Sequence, residues 1–251
     1  MYMGVINNSP ESEILRELAG SRVLITGLGA AQGVDVARAF ADIKTRLIVQ
    51  TADLAPEVTA MVALLSQSAA EIRLYTEQIA APDAAIRFAQ TAAKAFGGLD
   101  TVINLASISR EDMAGIASEA QVENLIAAKL SHIAEITRVA ANRMRVVLSE
   151  GLILNVLTMP RPANGREAAI AGIARTALAA LTRGEANAWA DQAVRINAIG
   201  PRTTAGSEPS AGACLTNEPD IAALALYLAS RRGKTLSGHI FDCEGVAANR
   251  C

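Results

Sequence analysis

The amino-acid sequence predicts an α/β fold built on one doubly wound parallel sheet of about seven strands. Three observations predict it. Short β-rich runs alternate with helical patterns from one end to the other. Several of those runs are apolar at consecutive positions, which suits a parallel strand covered on both faces. The chain has 251 residues, 51% hydrophobic and 19% charged, enough for a large core in a single domain. Aromatic residues are only 3%, so that core must be built from Ala, Val, Ile and Leu.

In chain order the predicted strands are Arg22–Thr26, Arg46–Gln50, Ile72–Thr76, Asp100–Leu105, Leu152–Thr158, Val194–Ile199 and His239–Cys243. Helical spacing marks Val34–Ile43, Ala84–Phe96, Gln121–Arg143, Ala168–Arg183 and Asp220–Arg231, with Pro219 where a first-turn proline belongs. Crossovers of this length between strands make βαβ units. Residues 1–17 read as an N-terminal extension with a short helix starting near Ser9 and Pro10, and residues 18–251 as the domain proper. The stretch Ala168–Leu181 carries a single charge, Arg175. A helix that is apolar all round is buried on two sides. In a domain with one sheet the second side is expected to be a partner subunit, so self-association through Ala168–Leu181 is predicted.

The composition also excludes. A formal charge of −2 gives no electrostatic reason for nucleic acid or an anionic membrane as partner. Cys214, Cys243 and Cys251 have no CxxC spacing and only His239 nearby, so neither a disulfide framework nor a metal site is expected. The first residues lack the pattern of a signal peptide, and no apolar run reaches the ~18 residues that span a bilayer. A soluble, cytoplasmic protein is expected.

The first strand runs into Thr26-Gly27-Leu28-Gly29-Ala30-Ala31-Gln32-Gly33 and then a helix. A glycine-rich turn between strand and helix points backbone N–H groups at the positive end of the helix dipole, where a pyrophosphate sits well. The turn is therefore expected to open onto a crevice at the carboxyl ends of the strands, lined by Gly27, Gly29 and Gly33. With a strand before it and a helix after it, the motif favours a nucleotide over an empty tight turn.

LAGSRVLITG followed by AAQGVDVARAFADIKTRLIV resembles the opening of the short-chain dehydrogenase/reductases, a family of Rossmann-type proteins whose loop reads TGxxxGxG. The likeness returns in GGLDTVINLAS, GLILNVLT, ALAALTR, VRINAIGPR and SGHIFDCEG, and covers Leu18 to Gly245. It implies an NAD(P)-dependent oxidoreductase acting on a carbonyl or hydroxyl group, assembled as a homotetramer or dimer. The cofactor contacts it implies are Thr26, Gly27, Gly29, Gln32, Gly33, Thr51, Asp53, Asn104, Ala106, Arg175 and Pro201. Some of these positions depart from the family. Ala31 stands at the second glycine, and Thr51 at the acid that holds the adenosine ribose, with Asp53 two residues on. Gln78 stands at the aspartate near the adenine. Leu105 and Ser107 replace the second asparagine and the glycine of the family's NNAG, of which Asn104 and Ala106 remain. No Arg or Lys sits in the loop to receive a 2′-phosphate, so NAD is preferred over NADP, and weak binding or none is compatible with the changes.

The larger departure is in the chemistry. The family protonates the developing oxyanion with a tyrosine whose pKa a lysine lowers, the two lying one helical turn apart in YxxxK. Here those positions are Ala171 and Arg175. The family serine becomes Thr158, which keeps a hydroxyl, and the asparagine becomes Lys129. Arginine keeps the charge of lysine and cannot relay its proton. Tyr2, Tyr75 and Tyr227 are expected to lie away from the nicotinamide, and His132, one turn from Lys129, reads as a surface or packing residue. Lys129, Arg175, Arg202, Arg161 and Arg166 form a basic group that suits an anionic small molecule or acyl ligand, unless they pair with Glu167. Two classes of function follow. One is a catalytically silent or impaired relative, a pseudoenzyme that binds a ligand or a partner subunit. The other is an active oxidoreductase with an atypical donor such as water or Lys129.

Overall fold

The structure is a computed structural model and describes residues 10–30, 32–203 and 218–242. The chain begins with α1 (Pro10–Leu18) and β1 (Arg22–Thr26), then α2 (Val34–Asp42), β2 (Arg46–Gln50), α3 (Pro56–Ser68) and β3 (Glu71–Tyr75). It continues through α4 (Pro82–Ala92), β4 (Thr101–Ser107), α5 (Arg110–Met113), α6 (Glu119–Val146) and β5 (Gly151–Thr158). It ends with α7 (Gly165–Trp189), β6 (Val194–Gly200), α8 (Glu218–Ala229) and β7 (Ile240–Asp242).

Among the described residues the sheet has seven strands in the order β3-β2-β1-β4-β5-β6-β7, every neighbouring pair parallel. The order reverses between β1 and β4, which is where doubly wound sheets open a ligand crevice. The consecutive apolar residues do what was expected of them. Val23 and Ile25 face one helical layer, with α2, α3 and α8, while Leu24 faces the other, with α4 and α6. A third cluster joins α6 and α7 over the carboxyl halves of β4, β5 and β6 through Ile133, Ile170, Leu178 and Leu157.

The expected strands β1 and β2 keep their bounds, and β3 starts one residue earlier than predicted. The helices α3 and α5 were not singled out in the sequence. In α3 only Val58, Val62 and Leu65 are buried, and Ala and Met on its other faces dilute the spacing. The helix α1 lies within the predicted extension, yet it is tied to the domain. Leu18 is buried in the core, Glu17 accepts a hydrogen bond from the Arg231 N–H at 2.6 Å, and Glu13 pairs with Arg232 at 2.9 Å. Along α7, Ile170, Ala171, Ala174, Leu178 and Thr182 are buried, whereas Ala169, Ile173, Thr176 and Ala180 point outward.

Candidate active site

Near the carboxyl ends of β1, β4 and β5 a row of polar side chains crosses the sheet. Thr26 on β1, Asn104 on β4 and Asn155 on β5 are register neighbours, and all three are buried. The Thr26 hydroxyl donates to Asn104 Oδ1 at 3.0 Å, and Asn104 Nδ2 donates to Asn155 Oδ1 at 2.8 Å. Thr137, from α6, donates its hydroxyl to Asn155 Oδ1 at 3.3 Å. The network satisfies Asn104 at both its oxygen and its nitrogen, while Asn155 Nδ2 has no partner among the described residues. Asn104 therefore serves the sheet interior, and its side chain is wholly engaged below the loop.

The loop after β1 follows directly. Gly27 has φ 74°, and a β-carbon there would collide with the carbonyl oxygen of Leu105 on β4. Gly33 has φ 84°, and a β-carbon would collide with the Leu105 side chain. Both glycines are thus required by positive φ and by close approach of β4. Ala31 lies outside the described residues.

Among the described residues, the N–H groups of Gly27, Leu28, Gly29, Ala30, Gln32 and Gly33 have acceptors within the chain. Gly27 N–H donates to Gln50 Oε1 at 2.8 Å, and Leu28 N–H to the Gln50 carbonyl at 3.1 Å. Gly29 and Gln32 bond to each other's carbonyls at 3.0 and 3.3 Å. The Asp53 carboxylate accepts from Ala30 N–H at 3.3 Å and from Ala55 N–H at 2.9 Å. At the start of α2, Glu218 from the beginning of α8 accepts from Gly33 N–H with one carboxylate oxygen, and from Asp35 N–H at 3.1 Å with the other. The expected open turn is thus a turn closed on itself by Gln50, Asp53 and Glu218. Thr51 is buried, and its hydroxyl donates to the Leu28 carbonyl at 2.7 Å. Gln78, at the adenine position, is exposed.

At the carboxyl ends of β5 and β6 stand residues that the resemblance aligns with the family's chemical positions. Thr158 ends β5 beside Ser107, half-buried, and its hydroxyl donates to the Ala106 carbonyl at 3.4 Å. Ala106 and Pro201 are buried. The stem of Arg175 lies against Gly200, the last residue of β6. Ala171, one turn earlier on α7, is fully buried. Lys129 on α6 donates to Asp112 at 2.8 Å, and Asp112 also closes the capping box of α5 with Ser109. Partial burial pushes the Asp112 carboxyl up, but the hydrogen bonds from Lys129 and the Ser109 N–H outweigh it and hold the pKa below the usual value.

Burial lowers the pKa of His132 and outweighs the opposing Ala128 carbonyl, with the Lys129 charge adding to the effect. Burial thus disfavours the charged imidazolium that would serve as a general acid. Tyr75 sits on the edge strand β3 with its ring against Phe88, and Tyr227 is exposed on α8; Tyr2 lies outside the described residues. Glu167 pairs with Arg110 at 3.2 Å, the partner that sequence reasoning had not weighed. The structure therefore brings Thr158 and Arg175 to the carboxyl ends of β5 and β6. It places Lys129 beside Asp112 and puts Thr51 and Asp53 into the loop's own bonding.

Gln50, Glu218 and Asp112 were missed. Gln50 left one signal, a polar residue closing an otherwise apolar strand.

The comparisons agree with this architecture. The family model described as short chain dehydrogenase matches residues 21–211. The 2-dehydro-3-deoxy-D-gluconate 5-dehydrogenase of Bacillus subtilis (strain 168) is 25% identical, over 91% of this chain and 94% of that protein. The peroxisomal 2,4-dienoyl-CoA reductase of Pongo abelii is 25% identical, over 89% of this chain and 82% of that protein. The crystal structure of a short chain dehydrogenase from Mycobacterium avium superposes with a TM-score of 0.71 and 25% identity, covering 92% of this chain and 85% of that one. With this fold, this loop and a family match across most of its length, the chain belongs to the short-chain dehydrogenase/reductase family.

Proposed function

We propose that this chain is a catalytically impaired short-chain dehydrogenase/reductase, an oxidoreductase by descent that does not reduce carbonyls at the family's ordinary rate. The observation that carries this reading is Ala171. It stands fully buried where the family places its tyrosine, one turn before Arg175. An alanine has no proton to donate, and losing a general acid costs about 10²–10⁴ in rate. What remains is binding chemistry. Thr158 retains a hydroxyl to hold an oxygen, and Arg175 retains a fixed positive charge at the end of β6.

For any dinucleotide that does bind, a preference for NAD over NADP is supported by Asp53, an acid that follows β2 and accepts from Ala30 N–H. Self-association through Ala168–Leu181 is supported by the outward stripe Ala169, Ile173, Thr176 and Ala180, which carries no charge. An acyl or other anionic ligand is supported by the relative named for 2,4-dienoyl-CoA, although Lys129 is engaged by Asp112. Both relatives are named as redox enzymes, which favours the second reading, turnover with water or Lys129 as donor.

The two readings part on turnover. The unmodified protein, assayed with NADH and NADPH against a panel of ketones, diketones and enoyl thioesters, is expected to show no oxidation above the protein-free rate. Turnover at rates ordinary for the family overturns the proposal.

A further inference from the structure

The residues of the glycine-rich loop, as they stand, do not fit the dinucleotide that the family generally binds. A pyrophosphate at this kind of turn is held by the backbone N–H groups at the start of the first crossover helix. Here that helix is α2, and the N–H groups of Gly33 and Asp35 both donate to Glu218. We propose that the Glu218 carboxylate is a built-in occupant of the pyrophosphate seat and keeps NAD(P) out of the site.

Three features support this assignment. The first is chemical likeness, since a carboxylate presents two anionic oxygens to two N–H donors as a phosphate would. The second is how Glu218 is positioned. It opens α8, and α8 packs along α2 through Ile221, Ala222 and Ala225 in the same buried cluster as Val36, Ala37 and Phe40. The carboxylate is delivered by a helix–helix contact of the core, so it reaches the seat wherever the domain is folded. The third is that the rest of the loop is closed to match. Asp53 takes Ala30 N–H, Gln50 takes Gly27 N–H, and the Leu105 side chain fills the space at Gly33. An entering pyrophosphate would therefore have to displace one carboxylate and approach a second, so like-charge repulsion adds to the loss of donors.

This inference concerns binding and is separate from the missing proton donor. The test is a fluorescence titration of the full chain with NADH, alongside calorimetry with ADP as a probe of the pyrophosphate seat alone. The unmodified protein is expected to show no saturable binding of either up to millimolar concentration. Glu218→Ala, which frees both N–H groups, is expected to tighten NADH and ADP by about tenfold to a hundredfold, the range of a hydrogen bond to a charged group. Glu218→Gln keeps the shape and an acceptor while removing the charge, and is expected to gain less. It also serves as the test variant if the alanine chain does not fold. Micromolar NADH binding by the unmodified protein, within threefold of the variants, overturns the proposal even if no turnover accompanies it. It is equally overturned if both variants fold and neither binds better than the parent.

Discussion

At the amino-terminal ends of β1 and β4, Arg22 donates from its backbone N–H and its guanidinium to Asp100, and Ser149 adds a hydroxyl at 2.9 Å. At the carboxyl ends of the same two strands, Gly27 meets Leu105 across a loop whose donors are answered by Gln50, Asp53 and Glu218. The first end is a clamp between β1 and β4, two paired strands that are far apart in sequence. The second end is where such sheets do chemistry, and there the described loop donors are bonded to side chains of β2, the turn after it and α8. Side chains at one end bond strand to strand, while side chains at the other answer the backbone donors of a loop. On the reading proposed above, the family fold outlasts the site grafted on it.

The polar row under the crevice tests this contrast most severely, since it lies between the two ends. Asn104→Ala would strip Thr26, Thr137 and Asn155 of a common partner in the sheet interior. Thermal or denaturant unfolding should show a loss of about 3 kcal/mol, the scale of unsatisfied buried polar groups. A loss below 0.5 kcal/mol, on the order expected for a surface substitution, would mean that Asn104 is kept for ligand rather than for the sheet.

A smaller effect is expected at the clamp. Burial pushes the Asp100 carboxyl up, but hydrogen bonds from Arg22 and Ser149 outweigh that and hold its pKa below the usual carboxylate value. A carboxylate depressed in the folded state contributes stability that is present above its unfolded pKa and lost as the pH falls through the folded one. The unmodified protein should thus lose stability as the pH drops below about 4. Asp100→Asn should cost about 1–2 kcal/mol at pH 7 and flatten that acid limb, as read by denaturant melts across pH. An unchanged acid limb would remove Asp100 as the clamp.

The strands were legible because burial on both faces writes itself as consecutive apolar residues, as in RVLIT and RLIVQ. Gly27 and Gly33 were legible because positive φ and close approach leave glycine as the residue that fits. By contrast α3 was not, since a helix at the outer edge needs few apolar positions. The closure of the site was the least legible part. Glu218 meets Gly33 across 185 residues of sequence, and a glutamate before Pro219 reads locally as nothing more than a first-turn acid. Likewise Asp112 reads as a helix cap for Ser109, and its bond to Lys129 depends on how α5 folds back on α6. Local patterns specify elements; which side chain answers which donor is decided by packing between elements that the sequence does not place.

The central claim is that the donors of the loop are bonded within the chain. It is tested most directly by the backbone amides of Gly33 and Asp35, followed by hydrogen exchange and chemical shift in an isotope-labelled sample at neutral pH. The account predicts slow exchange for both amides in the ligand-free protein and no shift on adding millimolar NADH. Fast exchange in the absence of ligand, with both resonances moving as NADH is titrated in, would contradict it.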